Sequence, residues 1–159
     1  MVYKLIMKQI NKYICERLHI NKDIDNHNYH PKTRDELKEL VDKLIKERGN
    51  EADLNDIDTS KITNMFALFY KSDFNGDISE WNVSNVKSMS WMFKESKFTG
   101  KNGDISNWDV SKVETIERMF EYSKFNGDIS EWDVSKVKKM YLMFNGTTLQ
   151  KNPPKWYKN

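Results

Sequence analysis

The phrase "FNGDISEWNVSNVKSMSWMF" at 74–93 returns as "NGDISNWDVSKVETIERMF" at 102–120 and as "FNGDISEWDVSKVKKMYLMF" at 125–144. Aligned on tryptophan, Trp81, Trp108 and Trp132 follow Ile57 at steps of 24, 27 and 24 residues. Phe69, Phe93, Phe120 and Phe144 keep the same steps, as do Ser60/Ser84/Ser111/Ser135 and Leu68/Met92/Met119/Met143. A fixed period in this range marks an array whose units cannot bury an apolar face alone and must stack. Stacking turns each column into a continuous internal ladder. Columns that stay constant are expected to be frame, and columns that vary are free to carry specificity.

Each unit reads as two pieces. In "SNVKSMSWMF" the apolar Val86, Met89, Met92 and Phe93 fall at i, i+3, i+6 and i+7, which predicts one face of a short helix. Ser84 precedes it as an N-cap, as do Ser60, Ser111 and Ser135, and Glu114 completes a capping box on Ser111. In "FNGDISEW" the apolar Phe74, Ile78 and Trp81 bracket polar residues, and Gly76 turns the chain, which predicts a short strand or extended piece. The expected unit is strand, turn, short helix. The 27-residue step comes from three extra residues within "TGKN" (99–102), expected to bulge from the edge without disturbing the stack.

The stretches "WNVSNVKSMSWMFKESKF", "WDVSKVETIERMFEYSKFN" and "WDVSKVKKMYLMFNGT" resemble the BspA-like branch of leucine-rich-repeat proteins, whose unit runs close to W-D-V-S-x-V-x-x-M-x-x-M-F-x-x-S-x-F-N. The lead-in "PKTRDELKELVDKLIKERGNEADLNDIDTSKITNMFALF" resembles the segment that opens many such arrays, so the likeness covers about residues 30–147. It implies an α/β, leucine-rich-repeat-like solenoid that binds without catalysing, often at bacterial or microbial surfaces, with similar short forms in phage-type genomes. The expected organisation is a helical N-terminal segment and cap at 1–50, about four repeat units (54–77, 78–104, 105–128, 129–149) and a tail at 150–159.

The front end departs from the repeat. Ile6, Ile10, Tyr13, Ile14 and Leu18 make a helical stripe over about residues 3–19, which could pack on the cap or dock elsewhere. "TRDELKELVDKLIKERG" is a better-marked helix, with Thr33 as cap, Glu36 completing a capping box, Gly49 as stop, and Leu37, Leu40, Val41, Leu44 and Ile45 on its apolar face. It is expected to cover the open end of the array. The tail "KNPPKWYKN" stops the array at Pro153 and Pro154, leaving Trp156 and Tyr157 to fold back or to dock on a neighbour.

Charge excludes one class of partner. Residues 1–50 carry 11 basic and 8 acidic side chains and the rest 15 and 16, a balance without the basic bias that phosphate-backbone binding needs. Lys4, Lys8 and Lys12 interrupt the N-terminal apolar positions, so no signal peptide is expected, nor any stretch long enough to span a membrane. That favours a cytoplasmic or virion-associated location over an exported surface protein.

Few residues suggest chemistry. Cys15, His19, His27 and His30 are the one metal-like grouping, at spacings that match no compact zinc finger. The carboxylate columns Asp77/Asp104/Asp128 and Asp58/Asn82/Asp109/Asp133 are expected to satisfy turn amides as Asx turns do. No nucleophile motif or phosphate loop is present. The expectation is therefore no enzyme and no cofactor. The variable positions Phe66, Trp91, Arg118, Tyr141 and Leu142, with Lys101 and Asn102 of the insertion, are the candidate contacts for another protein, the alternative for the large outward side chains being lateral packing between neighbouring helices. The alternative is a structural accessory of a virion or cell envelope that self-associates.

Overall fold

In the computed structural model, which describes Asp25 and residues 27–158, the amides of the repeat alternate between two kinds of partner. The N–H groups of Met65, Ala67, Phe69 and Lys71 donate to the carbonyls of Ser88, Ser90, Met92 and Lys94, one unit further on, at 2.8–3.1 Å. Between them, Leu68, Tyr70 and Ser72 close local turns onto Met65, Ala67 and Phe69. The same alternation runs from Met89, Trp91, Phe93 and Glu95 to Thr115, Glu117, Met119 and Glu121. It runs again from Ile116, Arg118, Phe120 and Tyr122 to Lys139, Tyr141, Met143 and Asn145. An α-helix would commit every one of these amides to the carbonyl four residues back. Here about half leave the unit, so each segment is a run of turns laid on the next.

Such a run needs left-handed residues at fixed places. Ala67, Trp91, Arg118 and Leu142 form one left-handed column (φ 52–62°), and Lys71, Glu95, Tyr122 and Gly146 form a second (φ 55–72°). Only the last of these eight is glycine. Each non-glycine residue costs on the order of 1 kcal/mol in this region, which the inter-unit hydrogen bonds and the packing beneath must offset. Because the conformation recurs whatever the side chain, it belongs to the architecture.

The fold is therefore not the expected α/β, leucine-rich-repeat-like solenoid of strand, turn and short helix behind an α-helical cap. Among the described residues the α-helix is α1, Arg34–Arg48, joined by a single 3-10 turn at Thr148–Gln150. Extended pairing is confined to isolated parallel bridges such as Asn64–Ser88, Ser88–Thr115 and Thr115–Lys139. The spacing nonetheless located the buried side chains: Val86, Met89, Met92 and Phe93 are each 0% exposed. An i, i+3, i+6, i+7 pattern reports which side faces the core, and successive turns satisfy it as well as a helix does. The expected serine caps are turn residues instead. The amides of Ser60, Ser84, Ser111 and Ser135 donate to the side chains of Asp58, Asn82, Asp109 and Asp133 at 2.9–3.1 Å. Asp77, Asp104 and Asp128 do the same for Ser79, Ser106 and Ser130 at 2.9 Å. These carboxylate columns are Asx turns.

Beneath the turns lie two interleaved columns of phenylalanine. Phe69, Phe93, Phe120 and Phe144 stack along the array at centroid distances of 5.3–6.1 Å, and each of the first three also stacks on Phe74, Phe98 or Phe125 at 4.0–4.7 Å. All seven are at most 1% exposed. Burial of each stabilises by roughly 1.5–3 kcal/mol, and offset stacking adds about 0.5–1.5 kcal/mol per pair. The tryptophans form a further ladder. Trp81, Trp132 and Trp156 each donate the indole N–H to the carbonyl 27 residues earlier, on Leu54, Ile105 and Ile129, at 2.9–3.1 Å. Trp156 also stacks on Trp132 at 6.5 Å. The tail thus packs on the array's own last unit, continuing the tryptophan column by one more step and setting Tyr157 against Phe144 at 5.0 Å.

α1 packs on the first unit through Leu37, Val41 and Leu44, which are 0% exposed and share the core of the repeat. Thr33 Oγ1 accepts the Glu36 amide at 3.2 Å, while the Glu36 carboxylate reaches back to the Lys32 amide at 2.7 Å, one residue beyond the Thr33 amide of a reciprocal box. Gly49, at φ 90°, ends the helix. Beside it Arg48 holds Asp56 in a two-pronged pair at 2.9 and 3.0 Å, tying the helix end to the array. The expected helix at 3–19 lies outside the described residues.

The insertion does not simply bulge. Thr99 donates to the Asn75 side chain at 2.9 Å and its carbonyl accepts the Asn126 amide at 3.1 Å, while Asn102 bonds the Asn75 carbonyl at 2.8 Å. The extra residues let one unit meet both neighbours at this corner. The wall beside them pays for it. Asp77 and Leu54 join the first two units by amide bonds to Ala52 and Asp77, and no such backbone bonds join Asp77 to Asp104 among the described residues. Trp108, whose preceding interval contains the insertion, has a buried indole nitrogen with no partner.

Candidate functional site

The left-handed column sets what the turn face presents. Trp91 lies 6.1 Å from Phe66 and 5.9 Å from Tyr70, ring to ring. The Arg118 guanidinium sits 5.9 Å from the Trp91 centroid and 5.4 Å from that of Tyr141. Four successive units therefore contribute to one strip, Phe66–Trp91–Arg118–Tyr141. Among the described residues, Phe66, Tyr70, Tyr122 and Tyr141 are the exposed large apolar side chains, at 37–57%.

The charges under this strip are internally committed. Glu121, 3% exposed at its side chain, is met by Lys94 and by Arg118 at 3.2 Å, with Asn145 at 3.2 Å. Lys94 also lies 4.6 Å from the Trp91 ring centroid. Burial alone would raise the Glu121 carboxyl. The donors Lys94, Asn145 and Arg118 more than offset that and hold it below the usual range. Breaking a buried pair by removing one partner is costly, because the other charge is left desolvated. This network fixes the Arg118 fork, and with it the two rings the fork separates. Within the strip the rings of Phe66 and Tyr141 are the more exposed, at 44% and 57%, and the Arg118 side chain the less, at 28%.

The sequence-level site residues divide. Phe66, Trp91, Arg118 and Tyr141 come together. Leu142 is half-buried at the end of the array, lining a hollow with Phe144, Pro153 and Tyr157. Lys101 and Asn102 are exposed, but the partners of Asn102 are Glu51 and Asn75, so the insertion belongs to a different wall. Of the metal-like grouping, Cys15 and His19 lie outside the described residues, and His27 and His30 both meet Asp25. Tyr70, Lys94 and Glu121 were missed. They share a column with Asn145 at the same 24, 27, 24 steps, and opposite charges at neighbouring steps of one column were the available signal.

No helix among the described residues is long and apolar enough to cross a membrane. No curated protein and no solved structure matches the chain. The family model described as "Mycoplasma protein of unknown function, DUF285" matches residues 35–156, which takes in most of α1, the whole array and the added tryptophan step. The chain belongs to that family.

Proposed function

We propose that the chain is a non-enzymatic interaction module of the BspA-like repeat kind, which binds another protein through the Phe66–Trp91–Arg118–Tyr141 strip. The observation that carries this reading is the ring–guanidinium–ring contact across successive units, Trp91 to Arg118 to Tyr141, on an outward face. Aromatic and arginine side chains held rigid and partly exposed are the usual anchors of protein interfaces. With Lys94 paired to Glu121 and Glu95, and Arg118 to Glu121 and Glu117, the complementary surface is apolar or aromatic rather than strongly acidic.

The test is capture of a partner by the full chain carrying a photo-crosslinking residue at Tyr70, which is exposed and lies 5.9 Å from Trp91. The partner is expected to be lost, by more than about 30-fold in affinity, in Phe66→Ser with Tyr141→Ser, which follows from a hot-spot loss of about 2 kcal/mol or more. Unchanged binding in that variant refutes the reading, and binding that depends on Lys101 moves the site to the insertion. A second reading, a self-associating accessory of a virion or cell envelope, is favoured by one feature. The amides of Met140, Leu142 and Phe144, whose counterparts bond the next unit, have no carbonyl partner among the described residues. An oligomer that dissociates on substitution at this edge would support that alternative.

A further inference from the structure

We propose that Asp25, His30 and Asp58 form a binding site for a divalent transition cation of the zinc type. Residues 28–30 lie alongside 56–58, joined by the Asn28 amide to the Asp56 carbonyl and the Asp58 amide to the Tyr29 carbonyl, both 2.8 Å, with a parallel bridge between Tyr29 and Ile57. His30 is thereby held beside Asp58 by backbone rather than by side-chain chance. Asp58 uses Oδ1 on the Ser60 amide at 2.9 Å and turns Oδ2 to His30 Nδ1 at 3.6 Å. Asp25 uses Oδ1 on the amide and ring of His27, at 3.0 and 2.7 Å, and turns Oδ2 to the same His30 nitrogen at 3.3 Å.

Two carboxylates thus converge on one ring nitrogen that can donate to only one of them. Both separations exceed a good N–H···O bond. They match the edge of a coordination tetrahedron, about 3.3 Å for bonds of about 2.0 Å. One oxygen or nitrogen from each of the three residues falls within 4.8 Å of the others. His27 then acts on Asp25 as an outer-shell partner that fixes the carboxylate. A nitrogen with two oxygens suits zinc, cobalt or manganese better than calcium. The side chains of Asp25 and His30 are half exposed, which leaves the fourth position to water.

Asp58→Asn is the decisive variant, because Asn82 occupies the same column and closes the same turn onto Ser84 at 3.1 Å, so the fold tolerates the change. The full chain is titrated with Co²⁺, read by visible absorption, and then with Zn²⁺ in competition. One equivalent should bind. Asp58→Asn and His30→Ala should each weaken binding by more than the ~10-fold that loss of an outer-shell partner costs. Cys15→Ser with His19→Ala should leave it unchanged. Absence of one-to-one binding at millimolar metal overturns the proposal. So does binding that survives Asp58→Asn, or that is lost with Cys15 and His19.

Discussion

Trp108 and Trp81 occupy the same column, are buried to 5% and 3% exposure, and should respond differently to one substitution. The Trp81 indole N–H donates to Leu54 O at 2.9 Å, whereas the Trp108 nitrogen is buried without a partner. Replacement by phenylalanine removes similar apolar volume at both places, so the cavity cost largely cancels in the comparison. At Trp81 the change also removes a hydrogen bond worth about 0.5–1.5 kcal/mol, leaving the Leu54 carbonyl with the Ile57 amide at 3.3 Å. At Trp108 it instead removes an unsatisfied donor whose desolvation costs about 1–3 kcal/mol. Trp81→Phe should therefore be more destabilising than Trp108→Phe by roughly 1.5–4.5 kcal/mol, or about 3–18 °C in Tm for a chain of this size. Urea unfolding followed by far-UV circular dichroism measures the difference. The cause can be tested as well, since deleting residues 99–101 restores the 27-residue interval from Ile78 to Trp108 that the other tryptophans keep. In that background the indole should reach Ile78 O, and Trp108→Phe should become as costly as Trp81→Phe. Equal costs in the parent chain would refute the reasoning, and an advantage that persists after the deletion would clear the insertion of blame.

Three further outcomes follow from the same geometry. Gly76→Ala should cost more than the usual ~0.5–3 kcal/mol of a point mutation, because an added Cβ would lie 2.0 Å from the Ala52 carbonyl oxygen; thermal melting checks it against Gly49→Ala, where nothing lies within 4 Å and the cost is the backbone strain at φ 90° alone, about 1 kcal/mol. Ala67→Gly should be neutral to stabilising by up to about 1 kcal/mol, since Ala67 sits at φ 52° and glycine has no left-handed penalty. Glu121 is held below its ordinary value, so the stability it contributes is present above the unfolded carboxyl pKa of about 4.3 and is lost as pH falls through the lower folded value. Glu121→Gln should flatten that part of the acid limb in a pH series of urea midpoints; an unchanged limb would show that Asp56 and the turn aspartates carry it instead.

The columns were legible because burial in an array depends on side-chain identity repeated at a fixed step, and that is written in the chain. Phe69, Phe93, Phe120 and Phe144 went to the core as their spacing required. The backbone was not legible, because the choice between a helix and a run of turns rests on the competition between two carbonyls for each amide. For Ala67 these are the one four residues back in its own unit and that of Ser90, and Ser90 wins. Nothing in the apolar spacing encodes that contest. The left-handed column was equally hidden, since Ala67, Trp91, Arg118 and Leu142 have no composition in common and only one of its sister positions is glycine.

Arithmetic carried further would have placed the tail, because Trp156 follows Trp132 by the same 24 residues. The prolines at 153 and 154 obscured it by suggesting an end where the column in fact continues. Pro153 stands one step beyond Ile129, at a place where the column supplies an apolar side chain. The contrast between the two ends of the array then has a physical basis. The tryptophan wall is extended past the last full unit by Trp156, while the turn wall stops at Met140, Leu142 and Phe144 with its amides unclaimed among the described residues. A further copy of the turn segment would be needed to use them, and Tyr141 of the strip stands on that same edge. A partner that pairs with those amides would meet Tyr141 on one side and, on the other, the tail that sets Tyr157 on Phe144 at 5.0 Å and the Lys158 amide on Met140 Sδ at 3.4 Å.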